Sequence, residues 1–329
     1  MHSPFSRDML LIDPAVETRR IVASITESVF GFLRRRGAVV AVSGGIDSSV
    51  VAALCVRAFG RERVLALMLP ESESSDDTRR MSRLLVDSLR TPFVEEDISP
   101  ALRAIGCYSR RDEAVKAVIP AYGPGWTCKL VLPPLLLDGE RLRVFSVVAR
   151  SPHGVETTAR LTPEAYFGVV ASTNFKQRTR KMLEYYHGDR LHFAVAGTAN
   201  RLEHELGFFV KNGDGSADFK PIAHLYKTQV YRIGRYLELP EEILGRAPTT
   251  DTYSLSQSQE EFYFSIPYEQ MDLCLFARNH DVSAGDAAEA IGLTRDQVER
   301  VYRDIDAKRA QARYLLAQPE LVDPGVGGR

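Results

Sequence analysis

The sequence predicts an α/β protein: a doubly wound, mostly parallel sheet with a β-rich insertion at 106–170 and a C-terminal helical segment at 265–315, all in one domain spanning 1–329. Three observations predict it. Short apolar runs rich in β-branched residues alternate with stretches of helical period, the order expected of a parallel sheet covered on both faces. The first of these runs enters a Gly-Gly turn that opens directly into a helix. The composition, 44% hydrophobic and 26% charged over 329 residues, allows a large core and excludes disorder for the bulk of the chain.

Residues 14–36 place Val16, Ile21, Val22, Ile25, Val29, Phe30 and Leu33 near the helical period, and Asp13 before Pro14 supplies a cap and a first-turn proline. Residues 38–43 show no polar alternation, as expected of a strand buried on both faces. After Gly44 and Gly45, residues 47–59 read as a helix closed by Gly60. Runs at 64–69, 93–98 and 193–196 read as strands, and 77–89 and 177–186 as helices. Between Ile105 and Val170 the helical period fades. There 130–137, 142–149 and 155–161 read as short strands joined by turn residues such as Asp138-Gly139. Lying just before the segment of Asn174 and Met182, this insertion is expected to touch the acceptor half of a site. From 284 to 314 two helices flank Gly292, with Thr294 as an N-cap.

Charge and cysteines narrow the function classes. Forty-two Lys and Arg oppose 43 Asp and Glu, a net charge of −1, which gives no drive toward nucleic acid. Residues 287–294 have the outline of a helix-turn-helix, but the second helix is not basic, so a packing pair is expected. Arg7, Asp8 and Asp13 interrupt any leader-like run, and the longest apolar runs are too short for a membrane span. Cys55, Cys107, Cys128 and Cys274 lie far apart with no metal-ligand spacing. A cytoplasmic protein with reduced thiols and no membrane partner is expected.

The strongest chemical signal is Ser43-Gly44-Gly45-Ile46-Asp47-Ser48, set between a buried strand and a helix. Glycines let backbone N–H groups approach an anion closely, the helix N-terminus adds partial positive charge, and the serine hydroxyls donate. The loop reads as a pyrophosphate cradle. No Gly-Lys-Ser/Thr occurs in the chain, which argues against P-loop γ-phosphoryl transfer. Asp47 would repel phosphate unless a divalent cation stood between them, so Mg2+ is expected.

This loop resembles that of the N-type ATP pyrophosphatases, and the downstream segments narrow the resemblance to the NAD synthetase family. Residues 172–182 are similar to a family helix that begins near an Asn and carries two arginines, here Arg178 and Arg180. Gly197-Thr198, Asn200 and Glu203 follow the fourth strand as the family's Gly-Thr…Glu element does. Residues 207–222, 225–230 and 248–251 continue the likeness, which covers about 16–100 and 172–315. The resemblance implies a Rossmann-like adenine nucleotide α-hydrolase fold with ATP and Mg2+ as cofactors. It implies that Ser43, Gly44, Gly45, Asp47, Ser48, Thr198, Lys227 and Thr249 hold ATP, and that Asp47 and Glu203 hold the metal. It further implies that Arg178, Lys211, Asp218 and Lys308 contact the substrate, with Asp47, Lys211 and Lys227 as the catalytic set.

The implied reaction adenylates the nicotinate carboxylate of deamido-NAD, expels pyrophosphate into the cradle, and lets ammonia displace AMP. Only about 40 residues precede the loop, too few for a glutaminase domain, so free ammonia or a separate glutaminase partner is expected. The resemblance also implies a homodimer. Three departures fall on the acceptor side: the long insertion, the recast segment 250–264, and Ala307-Lys308-Arg309 where the family reads His-Lys-Arg. They keep open a related amide ligase acting on another carboxylate.

Overall fold

The computed structural model describes residues 5–131, 145–248, 253–255 and 263–322. Helix α1 (Pro14–Thr26) starts where Asp13 accepts from the backbone N–H of Ala15 and Val16 at 2.8 and 3.1 Å. A π-helical turn, Glu27–Phe32, leads to strand β1 (Ala38–Ala41). Helix α2 (Ile46–Phe59) ends at Gly60, strand β2 is Val64–Met68, and helix α3 (Asp76–Leu89) is capped by the Ser75 hydroxyl. Strand β3 (Phe93–Glu95) and helices α4 (Ser99–Ala104) and α5 (Cys107–Lys116) follow.

Three strands come next: β4 (Thr127–Val131), β5 (Ser146–Arg150) and β6 (Glu156–Arg160). The 29-residue helix α6 (Pro163–Leu191) returns the chain to the main sheet at β7 (Ala194–Val195). Then come α7 (Arg201–Leu206), α8 (Lys227–Tyr236) and α9 (Glu241–Leu244). Helices α10 (Tyr268–Asn279), α11 (Ala284–Ile291) and α12 (Arg295–Leu316) form the C-terminal group, and α12 begins with a capping box between Thr294 and Gln297.

The main sheet has the order β3-β2-β1-β7 and its pairings are parallel. Strands β1, β2 and β7 are apolar at successive positions because both faces are covered. Ala38, Val40, Ala66 and Met68 pack against α1, α2 and α8, while Val39, Leu65 and Leu67 pack against Ile98, Leu102 and the α6 side chains Phe175 and Leu183. The doubly wound arrangement is therefore as the sequence predicts. The strands expected at 93–98 and 193–196 are shorter, and α10–α12 form the expected C-terminal segment around Met271, Leu275, Val298 and Ile305.

The segment 106–170 is not purely β. Strands β4, β5 and β6 form a separate antiparallel sheet, but α5 and the first turns of α6 lie in the same stretch. Helix α5 escapes the periodicity argument because its buried positions are Cys107, Arg111 and Val115, so a charged residue occupies the middle of the inward stripe. Arg111 is tolerated there because Glu73 pairs with it at 2.5 Å. Helix α6 begins at Pro163, well before the helix expected at 177–186, and in its front turns the buried Ser172, Thr173 and Lys176 interrupt the apolar stripe of Ala165 and Val169. The Asp138-Gly139 turn and most of the strand expected at 130–137 lie outside the described residues.

Candidate active site

The carboxyl ends of β1 and β7 meet where the strand order reverses, the position at which doubly wound sheets leave a crevice. Beyond β1 the chain turns through Gly44 at φ 67°. A Cβ there would stand 2.4 Å from the Met81 Cβ and 2.9 Å from the Ser82 nitrogen, so only glycine fits between the turn and α3. Ser43 donates its N–H to the Ser48 hydroxyl at 3.2 Å, and the Ser48 and Ser49 hydroxyls donate to the Gly45 carbonyl at 3.1 and 2.8 Å. These bonds lock the cradle onto the first turn of α2, whose open N–H groups carry partial positive charge.

Asp47 stands on that first turn. Its Oδ1 accepts from Asn200 Nδ2 at 3.0 Å and its Oδ2 takes the ammonium of Lys227. Asn200 is fully buried and caps α7: its Oδ1 accepts from the Glu203 N–H at 3.2 Å, while Glu203 Oε2 accepts from the Asn200 N–H at 3.0 Å. Burial and the nearby Asp47 charge push the Glu203 carboxyl up to about 8. Burial opposes the charge on Lys227, but Asp47 and Glu203 outweigh it and hold the ammonium above its ordinary range. The start of α8 is fixed from outside. Asp272 of α10 accepts the N–H groups of Lys227 and Thr228 at 3.2 and 2.7 Å, and its own burial raises its carboxyl to about 6.

These groups open onto a cavity of about 470 Å³, within the span of small-molecule sites. Ser43, Gly45, Asp47, Ser48, Thr198, Glu203 and Lys227 line it, which brings most of the expected ATP and metal residues together. Gly44 forms the turn behind them, and Thr249 lies outside the described residues. Arg79, Arg180 and Arg246 add cationic walls suited to a polyphosphate. Arg246 is held by Thr78 Oγ1 at 2.8 Å and Asp77 at 3.1 Å.

The expected substrate residues fall elsewhere. Arg178 donates to the Lys211 carbonyl at 3.3 Å, and Lys211 Nζ donates to the Tyr314 and Ala317 carbonyls at 2.8 and 3.2 Å, closing the end of α12. Asp218 accepts from the Val195 N–H at 2.8 Å and the Tyr185 hydroxyl at 3.3 Å. Arg178, Lys211 and Asp218 thus gather along the outer side of α6 and not in the cavity. Lys308 is buried on Asp304 at 2.8 Å and donates to the carbonyl of Tyr263, a residue of the cavity wall, without lining the cavity itself. Sequence reasoning assigned no role to Asn200, Arg246 or Asp272. The Asn-x-x-Glu spacing could have marked Asn200 as a cap, whereas Arg246 and Asp272 act through distant partners and carry no local signal.

The model of the NAD synthase family matches residues 17–118 and 153–313 of this chain. The chain belongs to the NAD synthase family. An NH3-dependent NAD+ synthetase of Mesorhizobium japonicum is 54% identical over 95% of this chain and 98% of its own length. One from Thermotoga neapolitana is 33% identical over 86% of this chain and 96% of its own length. Among solved structures, an NH3-dependent NAD synthetase from Campylobacter jejuni covers 95% of this chain with all of its own, at 21% identity and TM-score 0.62, a likeness of fold. The family match passes over 119–152, the stretch that holds β4 and β5.

Proposed function

We propose that this chain makes NAD from deamido-NAD, ammonia and ATP, releasing AMP and pyrophosphate. The observation that carries the reading is the Asp47, Lys227 and Glu203 cluster on the glycine cradle, in a chain 54% identical to a relative named for that reaction. A carboxylate resists ammonia because oxide is a poor leaving group, and adenylation supplies a better one. The cradle and Lys227 take up negative charge on the departing pyrophosphate, so positioning and electrostatics supply most of the acceleration.

Asp47 and Glu203 fit Mg2+. They offer hard oxygen donors, and the Glu203 carboxyl is raised first by burial and then by the nearby Asp47 charge, both of which a cation would offset. Among the described residues no third acidic group joins them, which suits an ion that keeps water and phosphate ligands. Mg2+ bound there neutralises phosphate charge.

Arg178, Lys211 and Asp218 are assigned to the deamido-NAD side. They share the outer side of α6 with Phe167, Met182 and Tyr186, large side chains left exposed. We assign this face to a homodimer contact beside the acceptor site. Light scattering is expected to give twice the chain mass, and Met182→Glu to give the monomer; a monomeric native protein removes the assignment. Among the described residues no helix is long and apolar enough to cross a membrane, and the four cysteines are buried free thiols, which fits a reducing cytoplasm.

A pyrophosphate-release assay tests the reaction. Release over many turnovers is expected only when ATP, deamido-NAD and ammonia are all present, and glutamine alone does not replace ammonia. Release with another carboxylate and none with deamido-NAD would favour the ligase of altered acceptor. Turnover with glutamine alone would place the nitrogen source in this chain.

A further inference from the structure

Helix α8 opens on Lys227, whose ammonium meets Asp47, and the first N–H groups of a helix have no acceptor within it. Tyr226, the residue before, is not one of the short polar side chains that cap helices. The acceptor comes instead from α10, 45 positions further along. Asp272 is fully buried there and takes the N–H of Lys227 on Oδ1 at 3.2 Å and the N–H of Thr228 on Oδ2 at 2.7 Å. One turn earlier on α10, the Tyr268 ring stands 5.2 Å from the Lys227 Nζ, and a spacing of four puts both residues on one face of the helix. Neither of them lines the cavity. A single helix outside the cradle therefore holds Lys227 by its backbone and flanks its charged end.

We propose that Asp272 is a positioning residue for the reaction, acting through Lys227. A carboxylate accepting backbone N–H groups makes stronger bonds than a neutral acceptor, and at a first turn it also meets the positive end of the helix dipole. The N-terminus of α8 is thus fixed against α10. The Lys227 side chain is 1% exposed, and a stem packed on all sides cannot swing to make good a shift of its own backbone. Where Asp272 sets the backbone, Nζ must follow. The proposal rests on the reading of Lys227 as the group that takes up charge on the departing pyrophosphate. It deepens that reading by giving the placement of Nζ to the C-terminal helices, which contribute no charge to the cradle itself.

The test uses the full chain and Asp272→Asn, which keeps the volume and one acceptor oxygen but loses the charge and turns an amide NH2 toward the second N–H. Its kcat for pyrophosphate release is expected to fall about tenfold, the scale of a small misplacement, with KM for deamido-NAD changed less than about twofold. Affinity for pyrophosphate with Mg2+, by calorimetry, falls by the same factor. Asp272→Ala offers no acceptor and lowers kcat further, so that Asn stands as a partial rescue. In the Lys227→Met background Asp272→Asn is expected to cost no further pyrophosphate affinity, because the lysine it acts through is gone. Native kcat and pyrophosphate affinity with only Tm lowered overturns the proposal, and so does a tenfold loss that repeats in the Lys227→Met background. Lys227→Met at the native kcat removes the reading of Lys227 and this proposal with it, whereas a slow Lys227→Met beside an Asp272→Asn of native kcat overturns the proposal alone. Should the native enzyme leave deamido-NAD untouched, the pyrophosphate affinities decide, a tenfold loss in Asp272→Asn upholding the proposal and no loss overturning it.

Discussion

Asp47→Asn is expected to lower kcat on the order of a thousandfold while leaving the fold in place. The amide keeps the volume and one oxygen acceptor but removes the charge that faces both Lys227 and the phosphate cradle. Stability should fall little, for a specific reason. Burial is the larger cause that pushes the Glu203 carboxyl up to about 8 and the Asp47 charge the second, so removing that charge eases the ionisation of Glu203 beside Lys227 without undoing its burial. Tm is expected to drop by only about 1–2 °C, the equivalent of roughly 1 kcal/mol for a chain of 329 residues. Pyrophosphate release and calorimetric unfolding of the same preparation check both halves. Turnover at the native rate would remove Asp47 from the chemistry.

Lys227→Met is the second large effect, and it should strike stability and activity together. The lysine side chain is 1% exposed and Asp47 only 15%, so the methionine leaves the Asp47 carboxylate without its cation, beside a Glu203 carboxyl already pushed up to about 8. Breaking a buried pair from one side costs about 3 kcal/mol or more, for a chain of 329 residues a Tm lower by roughly 4–5 °C or more. The double variant Asp47→Asn, Lys227→Met removes both charges and should regain most of that stability while remaining inactive. If the double variant were as unstable as the sum of the singles, the two side chains would not be coupled as the geometry requires.

Legibility in the sequence followed the range of each interaction. The helix at 47–59, its closing Gly60 and the buried strand at 64–69 are local: propensity, period and cap sit within a few residues of one another. Helix α5 and the front of α6 were not legible, because Arg111 and Lys176 occupy inward positions that only distant partners make tolerable. A pattern argument reads these charges as solvated. The same limit divided the site. Ser43, Asp47, Thr198, Glu203 and Lys227 line one cavity, whereas Arg178, Lys211 and Asp218 lie along the outer side of α6, a separation in space that motif order does not carry.

The sequence by itself determined the doubly wound sheet and the glycine turn between its first strand and the helix that follows. These depend on neighbours along the chain, where sterics and period act directly. Only the tertiary structure decided that Asp47 meets Asn200 across 153 positions and Lys227 across 180, and that Asp272 fixes the start of α8 from another helix. It alone decided that the edge of β4 is closed by 253–255. Such contacts leave no period in the sequence, because what holds them is the need of buried charges and backbone groups to find partners wherever the fold brings them.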